Sequence, residues 1–274
     1  MGRALVGVCV LAVGLGAGIV AAWSGGGAES AVPVPRAAAA TTLARVRHAP
    51  APPPRKRATP CPVGFEQRLG DDRLAYAAYV RTRAVAYRRP GRGRIAVFGK
   101  LNVNRYPTVF GVVGAVAGKR CRAAWYRVQL PMRPNGSVGY VRAADVGVDT
   151  VATRLEIDLS QRRLTLYRAG RAAMRTTVAI GKSATPTPIG RYYVNQLLRP
   201  DDPTGPYGPA AIGVSAFSDV LTGWAQGGPI GIHGTNEPWL LGRPVSNGCI
   251  RMTNAAITRL FPQAVPGTPV VIHP

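Results

Sequence analysis

Short runs of alternating apolar and polar residues, separated by turns rich in Gly and Pro, recur along this chain from about residue 61 to its end. The 274 residues include 33 Gly and 25 Pro without a three-residue period, which excludes a collagen-like chain and favours many turns. Leu155, Ile157 and Leu159 alternate with polar residues and precede a second such run at Leu164–Tyr167, which predicts a β-hairpin. The pattern therefore predicts a mostly β chain.

One segment departs from this pattern and predicts a helix. It runs from about Asn254 to Phe261, with Thr253 or Asn254 as the N-cap and Pro262 at its end. The expected fold class is thus mostly β with one short helix.

The first sixty residues differ in composition from the rest of the chain. Residues 4–23 are apolar and uncharged and follow Arg3, and this length is enough to span a bilayer as a helix. Residues 1–23 are therefore expected to be a signal peptide or a membrane anchor, and either means export. Residues 24–60 are rich in Pro, Ala and Arg and bury too little apolar surface to fold, so we expect a linker there.

Residues 61–150 are expected to form a small β domain. Strand-like runs are separated by turn signals, of which Asn135-Gly136 is a strong hairpin signal. The runs are Ala75–Val85, Ile95–Phe98, Pro107–Val116, Trp125–Leu130 and Ser137–Val141. The last of these runs resemble a bacterial SH3-like barrel, a module often found in wall-associated proteins.

The net charge of +23 restricts the classes of partner. A strongly basic chain is typical of nucleic-acid binding, but here the arginines are scattered and no nucleic-acid motif accompanies them. We therefore expect no nucleic-acid partner and prefer attraction to an anionic cell wall or membrane surface.

The four cysteines leave one thiol without an obvious structural use. They contain no CxxC pair, which excludes a zinc ribbon, and no metal site is expected. Cys9 lies in the apolar segment, and in an exported protein Cys61 and Cys121 would most simply form a disulfide, two free thiols being the alternative. Cys249 is then the odd thiol of the C-terminal part.

A nucleophilic thiol requires a base, and His233 is the natural one. His48 lies in the expected linker and His273 is the penultimate residue, whereas His233 ends a predicted strand just before a loop. Taken singly, a Cys or a His is more often structural than catalytic. The two together, at this spacing, match a specific pattern.

That pattern resembles the signature of the L,D-transpeptidase catalytic domain, a family of cysteine acyltransferases that crosslink peptidoglycan. The signature is carried by Ile232–Thr235 followed by Ser246–Met252. Further stretches in the family's order are Ile157–Ser160 with Leu164–Tyr167, Gly181–Lys182 with Thr187–Gly190, and Gly267–Ile272. The resemblance implies a β-sandwich catalytic domain over residues 151–274, with one departure, because many members have His where this chain has Asn247.

The resemblance also implies roles for individual residues. Cys249 would be the nucleophile, His233 the general base, and the Gly234 carbonyl the group that orients the imidazole. Backbone N–H groups near Gly248 and Cys249 would form the oxyanion hole, and Arg251 would either hold a substrate carboxylate or staple the loop. The expected substrate-binding or oxyanion group is Ser246, Asn247, Gly248 and Arg251. The loop between Leu197 and Gly228, with Tyr207 and Trp224, would either cover the substrate peptide or pack against the domain.

Three functions follow from this set of residues. The first is a transpeptidase that crosslinks peptidoglycan stem peptides through a Cys acyl-enzyme, with release of D-alanine and without a cofactor. The second is an L,D-carboxypeptidase, in which water replaces the acceptor amine. The third is an inactive wall-binding protein, which Asn247 and the SH3-like segment would suit. We expect a monomer that acts in the cell envelope.

Overall fold

The computed structural model describes residues 62–223 and 228–274. The predicted export or anchor segment at 1–23 and the predicted linker at 24–60 lie outside these residues, as do Cys61 and Trp224. Within the part of the chain that the structure describes, no helix is long and apolar enough to cross a membrane.

The N-terminal part forms one antiparallel sheet. Its strands are β1 (Glu66–Arg68), β2 (Ala75–Val80), β3 (Arg83–Arg89), β4 (Arg92–Gly99), β5 (Val109–Ala117), β6 (Ala123–Gln129), β7 (Val138–Arg142) and β8 (Val146–Val151). Their order across the sheet is β4-β3-β7-β6-β5-β2-β8, with β1 paired to β5. Short 3-10 helices at Lys119–Cys121 and Ala143–Asp145 join neighbouring strands. The core of this sheet is built from small and branched residues around the fully buried Phe110.

The single run expected at Ala75–Val85 was wrong, because it is two strands with different neighbours. β2 pairs with β5 and β8, whereas β3 pairs with β4 and β7. The chain breaks at Arg81, whose amide and guanidinium Nε donate to the carbonyls of Asp145 and Val146. The alternation continues through this break, so periodicity alone does not reveal it.

The C-terminal part forms a mixed half-barrel sheet. Its strands are β9 (Thr153–Asp158), β10 (Arg163–Arg168), β11 (Arg171–Thr177), β13 (Gly190–Leu198), β14 (Ala211–Phe217), β15 (Pro229–His233), β17 (Ile250–Arg251) and β18 (Pro269–His273), and β12 (Ile180–Gly181) pairs with β16 (Pro244–Ser246) beside it. The order is β11-β10-β9-β18-β13-β14-β15-β17, in which β9–β18 and β15–β17 are parallel. The predicted hairpin of β9 and β10 is confirmed.

Helix α1 (Asn254–Leu260) is the short helix that the sequence predicts, with Thr253 as its N-cap. The Thr253 hydroxyl accepts a hydrogen bond from the Ala256 amide at 3.1 Å, which satisfies one of the free amides of the first turn. Ile257 and Leu260 are fully buried and join the core of the half-barrel sheet. A further 3-10 helix spans Pro238–Leu240.

The two sheets pack together through β5 and β13. Tyr193 is almost completely buried, and its hydroxyl donates to the Val109 carbonyl at 3.0 Å. Gln129 donates from its side-chain amide to the Arg191 carbonyl at 2.8 Å. Burial raises the pKa of the Tyr193 phenol well above its usual value, so the hydroxyl remains a donor.

The architecture shows a mostly β chain with one short helix and a separate N-terminal antiparallel sheet. The SH3-like barrel at 61–150 and the sandwich arrangement at 151–274 stay predictions. Cys121 is disulfide-bonded, and since Cys61 is not among the described residues its pairing with Cys121 also stays a prediction.

Replacing Gly267 tests the packing between the sheets. This residue has φ +91°, and an added Cβ would overlap the side chain of Ala77 in β2. Gly136 is the matched control, because its φ is +79° and an added Cβ there meets no atom within 4 Å. We expect Gly267→Ala to lower the free energy of unfolding by about 1–3 kcal/mol more than Gly136→Ala, measured by urea titration. Equal losses would contradict the packing described above.

Candidate functional site

The parallel pairing of β15 with β17 brings the predicted site residues onto one face. Ile232 pairs with Ile250, and both side chains are fully buried in the core. Since side chains alternate along a strand, His233, Cys249 and Arg251 project to the opposite side from these isoleucines. Cys249 directly precedes β17, and strand spacing puts its Cα about 8 Å from that of His233. This separation is within reach of a thiol and an imidazole.

The turn that carries Cys249 is held from inside by Ser246. The Ser246 hydroxyl, which is buried, accepts from the Gly248 amide at 3.1 Å and donates to the Cys249 carbonyl at 2.6 Å. Gly248 has φ +110°, and an added Cβ would lie 2.9 Å from Ile230, so both its conformation and its surroundings favour glycine. Ser246 therefore fixes the conformation of the turn that presents the thiol.

Two buried threonines hold the same turn from the outside. Thr187 donates from its hydroxyl to the Gly248 carbonyl at 2.9 Å and accepts from the Gly181 amide at the same distance. Thr185 donates to the Ser246 carbonyl at 3.2 Å. Neither threonine was predicted as a site residue, although Thr187 belongs to a stretch that carries the resemblance. Their contacts arise only when β12 pairs with β16, which no local pattern reveals.

The imidazole of His233 is held in one tautomer. Its Nδ1 lies 2.7 Å from the Gly234 carbonyl oxygen. Because a carbonyl can only accept, Nδ1 carries the proton and Nε2 keeps its lone pair. The His233 carbonyl accepts from the Met252 amide at 2.9 Å, which ties the end of β15 to the strand that follows Cys249. The ring is thus set to act as a base through Nε2.

Both reactive groups are neutral in the resting structure. Burial lowers the pKa of His233 to about 4, against a partial opposing effect of its bond to Gly234. Burial also raises the pKa of the Cys249 thiol, although a hydrogen bond from the Gly231 backbone and the charge of Arg251 both lower it in part. At neutral pH the site therefore holds a neutral thiol and a neutral imidazole, and not a thiolate and an imidazolium.

Arg251 is the cation whose charge acts on both His233 and Cys249. Its Nη1 donates to Glu237 at 3.0 Å, and its charge lowers the pKa of both His233 and Cys249. Its Nε is buried and has no hydrogen-bond partner among the described residues. The salt bridge with Glu237 was not predicted, since fourteen positions separate the partners and only the fold brings them together.

The loop between β13 and β14 covers part of the site. The ring of Tyr207 meets the imidazole of His233 edge-on, with 4.9 Å between centroids, and 54% of Tyr207 remains exposed. Gly208 follows with φ +63°, and an added Cβ there would lie 2.8 Å from the Gly234 Cα, so the loop packs closely on the backbone next to His233. Tyr207 therefore offers an exposed ring edge to any substrate that approaches the imidazole.

The first residue of helix α1 supports the segment that follows His233. The Asn254 side-chain oxygen accepts from the Thr235 amide at 2.9 Å, and the Thr235 hydroxyl accepts from the Glu237 amide at 3.0 Å. The sequence offered Asn254 as an alternative N-cap, whereas the structure uses it to hold the segment after His233. This segment carries the Glu237 carboxylate to Arg251.

The structure brings the predicted site residues to one face. The two turn amides, those of Gly248 and Cys249, differ from each other in their hydrogen bonds. The Gly248 N–H is already bound to Ser246, whereas the Cys249 N–H has no acceptor within residues 62–223 and 228–274. Asn247 is exposed, and its side-chain oxygen lies 3.4 Å from the Thr185 hydroxyl. Of these two turn amides, that of Cys249 is therefore the one free to donate.

A cavity of about 410 Å³ lies away from this site. It is lined by the segment from Val97 to Val109 and by parts of β13 and β14, and neither Cys249 nor His233 contributes to it. Among the residues that the structure describes, no group of three or more His, Cys, Asp or Glu could hold a metal ion.

Comparisons with known proteins match the part of the chain that carries this site. The model of the YkuD family, the L,D-transpeptidase catalytic domain, matches residues 152–272. The chain is 35% identical over 126 residues to "Putative L,D-transpeptidase YkuD" of Bacillus licheniformis, which covers 46% of this chain and 68% of that protein. It is 32% identical over 124 residues to the protein of the same name from Bacillus subtilis, with 45% and 68% coverage.

A solved structure gives a similar match. The catalytic domain of an Enterococcus faecium L,D-transpeptidase is 26% identical to this chain and has a TM-score of 0.33. The match covers 44% of this chain and 96% of that domain. The strands of the N-terminal sheet, which end at Val151, lie before the residues that the family model matches.

Alkylation of Cys249 tests the neutral state of the pair. Because burial raises the pKa of the thiol, its reaction with iodoacetamide should rise only above the ordinary thiol range near pH ~8.5. Arg251→Gln should move the midpoint upward, since the charge of Arg251 lowers this pKa, and Arg251→Lys should move it less. Intact mass against pH measures the rate, with Cys249→Ser as the background. A midpoint below pH 7 would contradict the neutral pair.

Proposed function

We propose, from the premise that this chain belongs to the L,D-transpeptidase family, that it crosslinks peptidoglycan stem peptides through an acyl-enzyme on Cys249. The observation that carries the proposal is the shared face of β15 and β17. This face presents Cys249, which is a free thiol, beside an imidazole whose Nδ1 is bound to the Gly234 carbonyl. The peptide, the leaving group and the acceptor are parts of the proposal.

The first step is acylation of the thiol. Nε2 of His233 accepts the thiol proton as Sγ attacks the carbonyl carbon of the third residue of a donor tetrapeptide. Since both groups are neutral at rest, proton transfer accompanies the attack and does not precede it. The Gly234 carbonyl stabilises the imidazolium that forms, and this supports His233 as the base without a carboxylate partner.

The backbone of Cys249 supports the next stage of this step. Its free N–H is available to the developing oxyanion, and one such donor contributes about 3 kcal/mol in comparable acyl transfers. The intermediate collapses when the imidazolium returns its proton to the amine of the leaving D-alanine. A thioester on Cys249 and a neutral His233 remain.

The second step transfers the acyl group to an amine. His233 removes a proton from the side-chain amine of an acceptor stem as that amine attacks the thioester, and the proton then returns to the departing Sγ. The products are an amide crosslink and the free enzyme, with no nucleotide consumed. If water attacks instead, the same residues act as an L,D-carboxypeptidase.

Arg251 acts as a positioning residue in this proposal. Its salt bridge with Glu237 supports the interpretation that it staples the loop after His233 to strand β17. Its charge also favours the thiolate as the proton leaves. Tyr207 belongs to the loop that the sequence predicts to cover the substrate. It is half exposed and lies against the imidazole, which supports a role for its ring in touching a bound peptide.

Asn247 is the feature that favours the inactive alternative, and its surroundings argue against that alternative. The side chain is exposed and makes one long hydrogen bond, whereas His233 is buried and oriented. An exposed Asn at this position leaves the base in place. We propose that the protein is active in the cell envelope, where its basic surface attracts it to an anionic wall or membrane.

Acylation by a β-lactam tests the nucleophile and the base. A carbapenem should add once to the protein by intact mass, and Cys249→Ser should abolish the adduct. His233→Gln should slow acylation about 10²–10⁴-fold, while His273→Gln, which removes a half-exposed histidine that lies 3.5 Å from Glu156 in another part of the sheet, should leave the rate unchanged. Because burial lowers the pKa of His233 to about 4, the neutral imidazole persists and acylation should hold to about pH 5, then fall through pH 4. An adduct on Cys249→Ser would remove the assignment.

The products formed from purified tetrapeptide muropeptides test the acceptor. A transpeptidase should release D-alanine and give a crosslinked dimer of mass lower than two substrates by one D-alanine. A carboxypeptidase should give only tripeptide monomer, and Cys249→Ser should give neither. Normal β-lactam acylation with no turnover of muropeptides would place the substrate outside this class.

A further inference from the structure

The outer face of the N-terminal sheet carries an arrangement that catalysis does not use. Along β3, Ala84 and Ala86 are buried in the core, whereas Tyr87, which follows Ala86, points to the other side. The same alternation in β7 buries Val141 and turns Tyr140 outward. The pairing of Tyr87 with Tyr140 then places both on one outward face.

Five arginines lie on this same face, which we call the arginine face. Residues paired across neighbouring strands point to the same side of the sheet, so the partners of the aromatic residues belong to this face. These pairs are Tyr87 with Arg94, Tyr140 with Arg127 and Trp125 with Arg142. At the hairpin end, Arg89 lies opposite Arg92. All five are exposed: Arg89, Arg92, Arg94, Arg127 and Arg142. Strand spacing near 4.8 Å makes the row from Arg94 to Arg127 about 14 Å long.

Almost none of this charge is neutralised by the protein. Glu66 lies 3.9 Å from Arg127 and accepts a hydrogen bond from the Tyr140 hydroxyl. In the described part of the chain, Arg89, Arg92, Arg94 and Arg142 form no ion pair. Arg89 and Arg92 lie directly opposite each other, and like charges in this position are destabilising unless an anion lies between them.

Aromatic rings hold part of the face in a fixed geometry. Arg142 lies over the ring of Trp125, 5.6 Å from its centroid, and Tyr87 meets Trp125 edge-on at 5.7 Å. Stacking on an aromatic ring orders the guanidinium while leaving its N–H donors at the edge free. The face therefore combines ordered N–H donors with half-buried rings against which a sugar or polyol unit could lie.

We propose that the arginine face binds a phosphodiester-linked anionic polymer of sugar or polyol units, of the kind attached to bacterial walls. Guanidinium groups bind phosphate through paired N–H donors, and residues two apart on a strand lie about 7 Å from each other, which suits successive phosphates on a linear chain. A lipid surface fits less well. The exposed large apolar side chain on this face is Val138. The face therefore offers little apolar surface that could insert among lipid tails.

The choice of a wall polymer as the source of phosphate rests on the proposed function in the envelope. The face itself does not depend on that function, since it lies on strands outside residues 152–272. Binding would hold the enzyme at its insoluble substrate while Cys249 acts elsewhere on the molecule.

The test measures binding of the full chain to insoluble walls that carry such a polymer, and to the same walls after hydrofluoric acid has removed it. The variant is Arg92→Gln with Arg94→Gln in the edge strand β4. The matched control is Arg171→Gln with Arg175→Gln, two exposed arginines in β11, which is the edge strand of the other sheet. Both variants lose two positive charges, and both leave the basic residues of the segment 1–60 unchanged.

We expect the β4 variant to weaken wall binding at least about tenfold and the β11 variant less than about twofold. Stripping the walls should weaken wild type to the level of the β4 variant. Arg142→Gln should also weaken binding, which provides a second readout. Carbapenem acylation, measured on the same preparations, should be equal in all of them and shows that each variant is folded.

Four results would overturn the proposal. Equal weakening by both double variants would mean that only net charge matters, and unchanged binding to stripped walls would mean that the polymer is not the ligand. Tighter β4-dependent binding to phosphatidylglycerol vesicles than to walls would assign the face to a membrane, and tighter binding to single-stranded DNA would assign it to nucleic acid. Failure of acylation with normal wall binding would instead overturn the proposed function alone.

Discussion

The pairing of two short parallel strands is the constraint on which the site depends. Ile232 and Ile250 are buried on the core side of β15 and β17, and this fixes the register. If β17 moved by one residue against β15, Ile250 would turn into the site and Cys249 toward the core, while Ile232 would stay buried. The polar contacts of the turn around Ser246 then refine a geometry that the apolar pair has already set.

Burial sets the chemistry of the pair as well as its geometry. The same desolvation that lowers the pKa of His233 raises that of Cys249, so these two groups do not form an ion pair with each other at rest. A neutral thiol is a weak nucleophile toward solvent electrophiles, and it becomes reactive when a bound carbonyl allows proton transfer and attack together. The charge of Arg251, tethered by Glu237, lowers the pKa of the thiol and also that of the imidazole.

The two sheets divide the work on the proposed function. The half-barrel sheet provides the reactive groups, and the N-terminal sheet provides a rigid support through Tyr193 and Gly267. The N-terminal sheet buries its small residues on one side and leaves arginines around aromatic rings on the other. An enzyme that acts on an insoluble polymer gains from such a second contact, because attachment raises the local concentration of substrate at the active site.

The sequence by itself determined the mostly β class, the β9–β10 hairpin and helix α1, and it indicated Cys249 and His233 as the candidate pair, because each depends on a local pattern or a short motif. The tertiary structure decided which strands are neighbours. It alone split the run at Ala75–Val85 into two strands. It also brought Thr187 to the turn that carries Cys249, and Glu237 to Arg251. Alternation along a strand identifies the side that is buried, but it carries no information about the partner strand. Contacts across distant segments arise from the packing of the whole core, and so no local pattern could predict them.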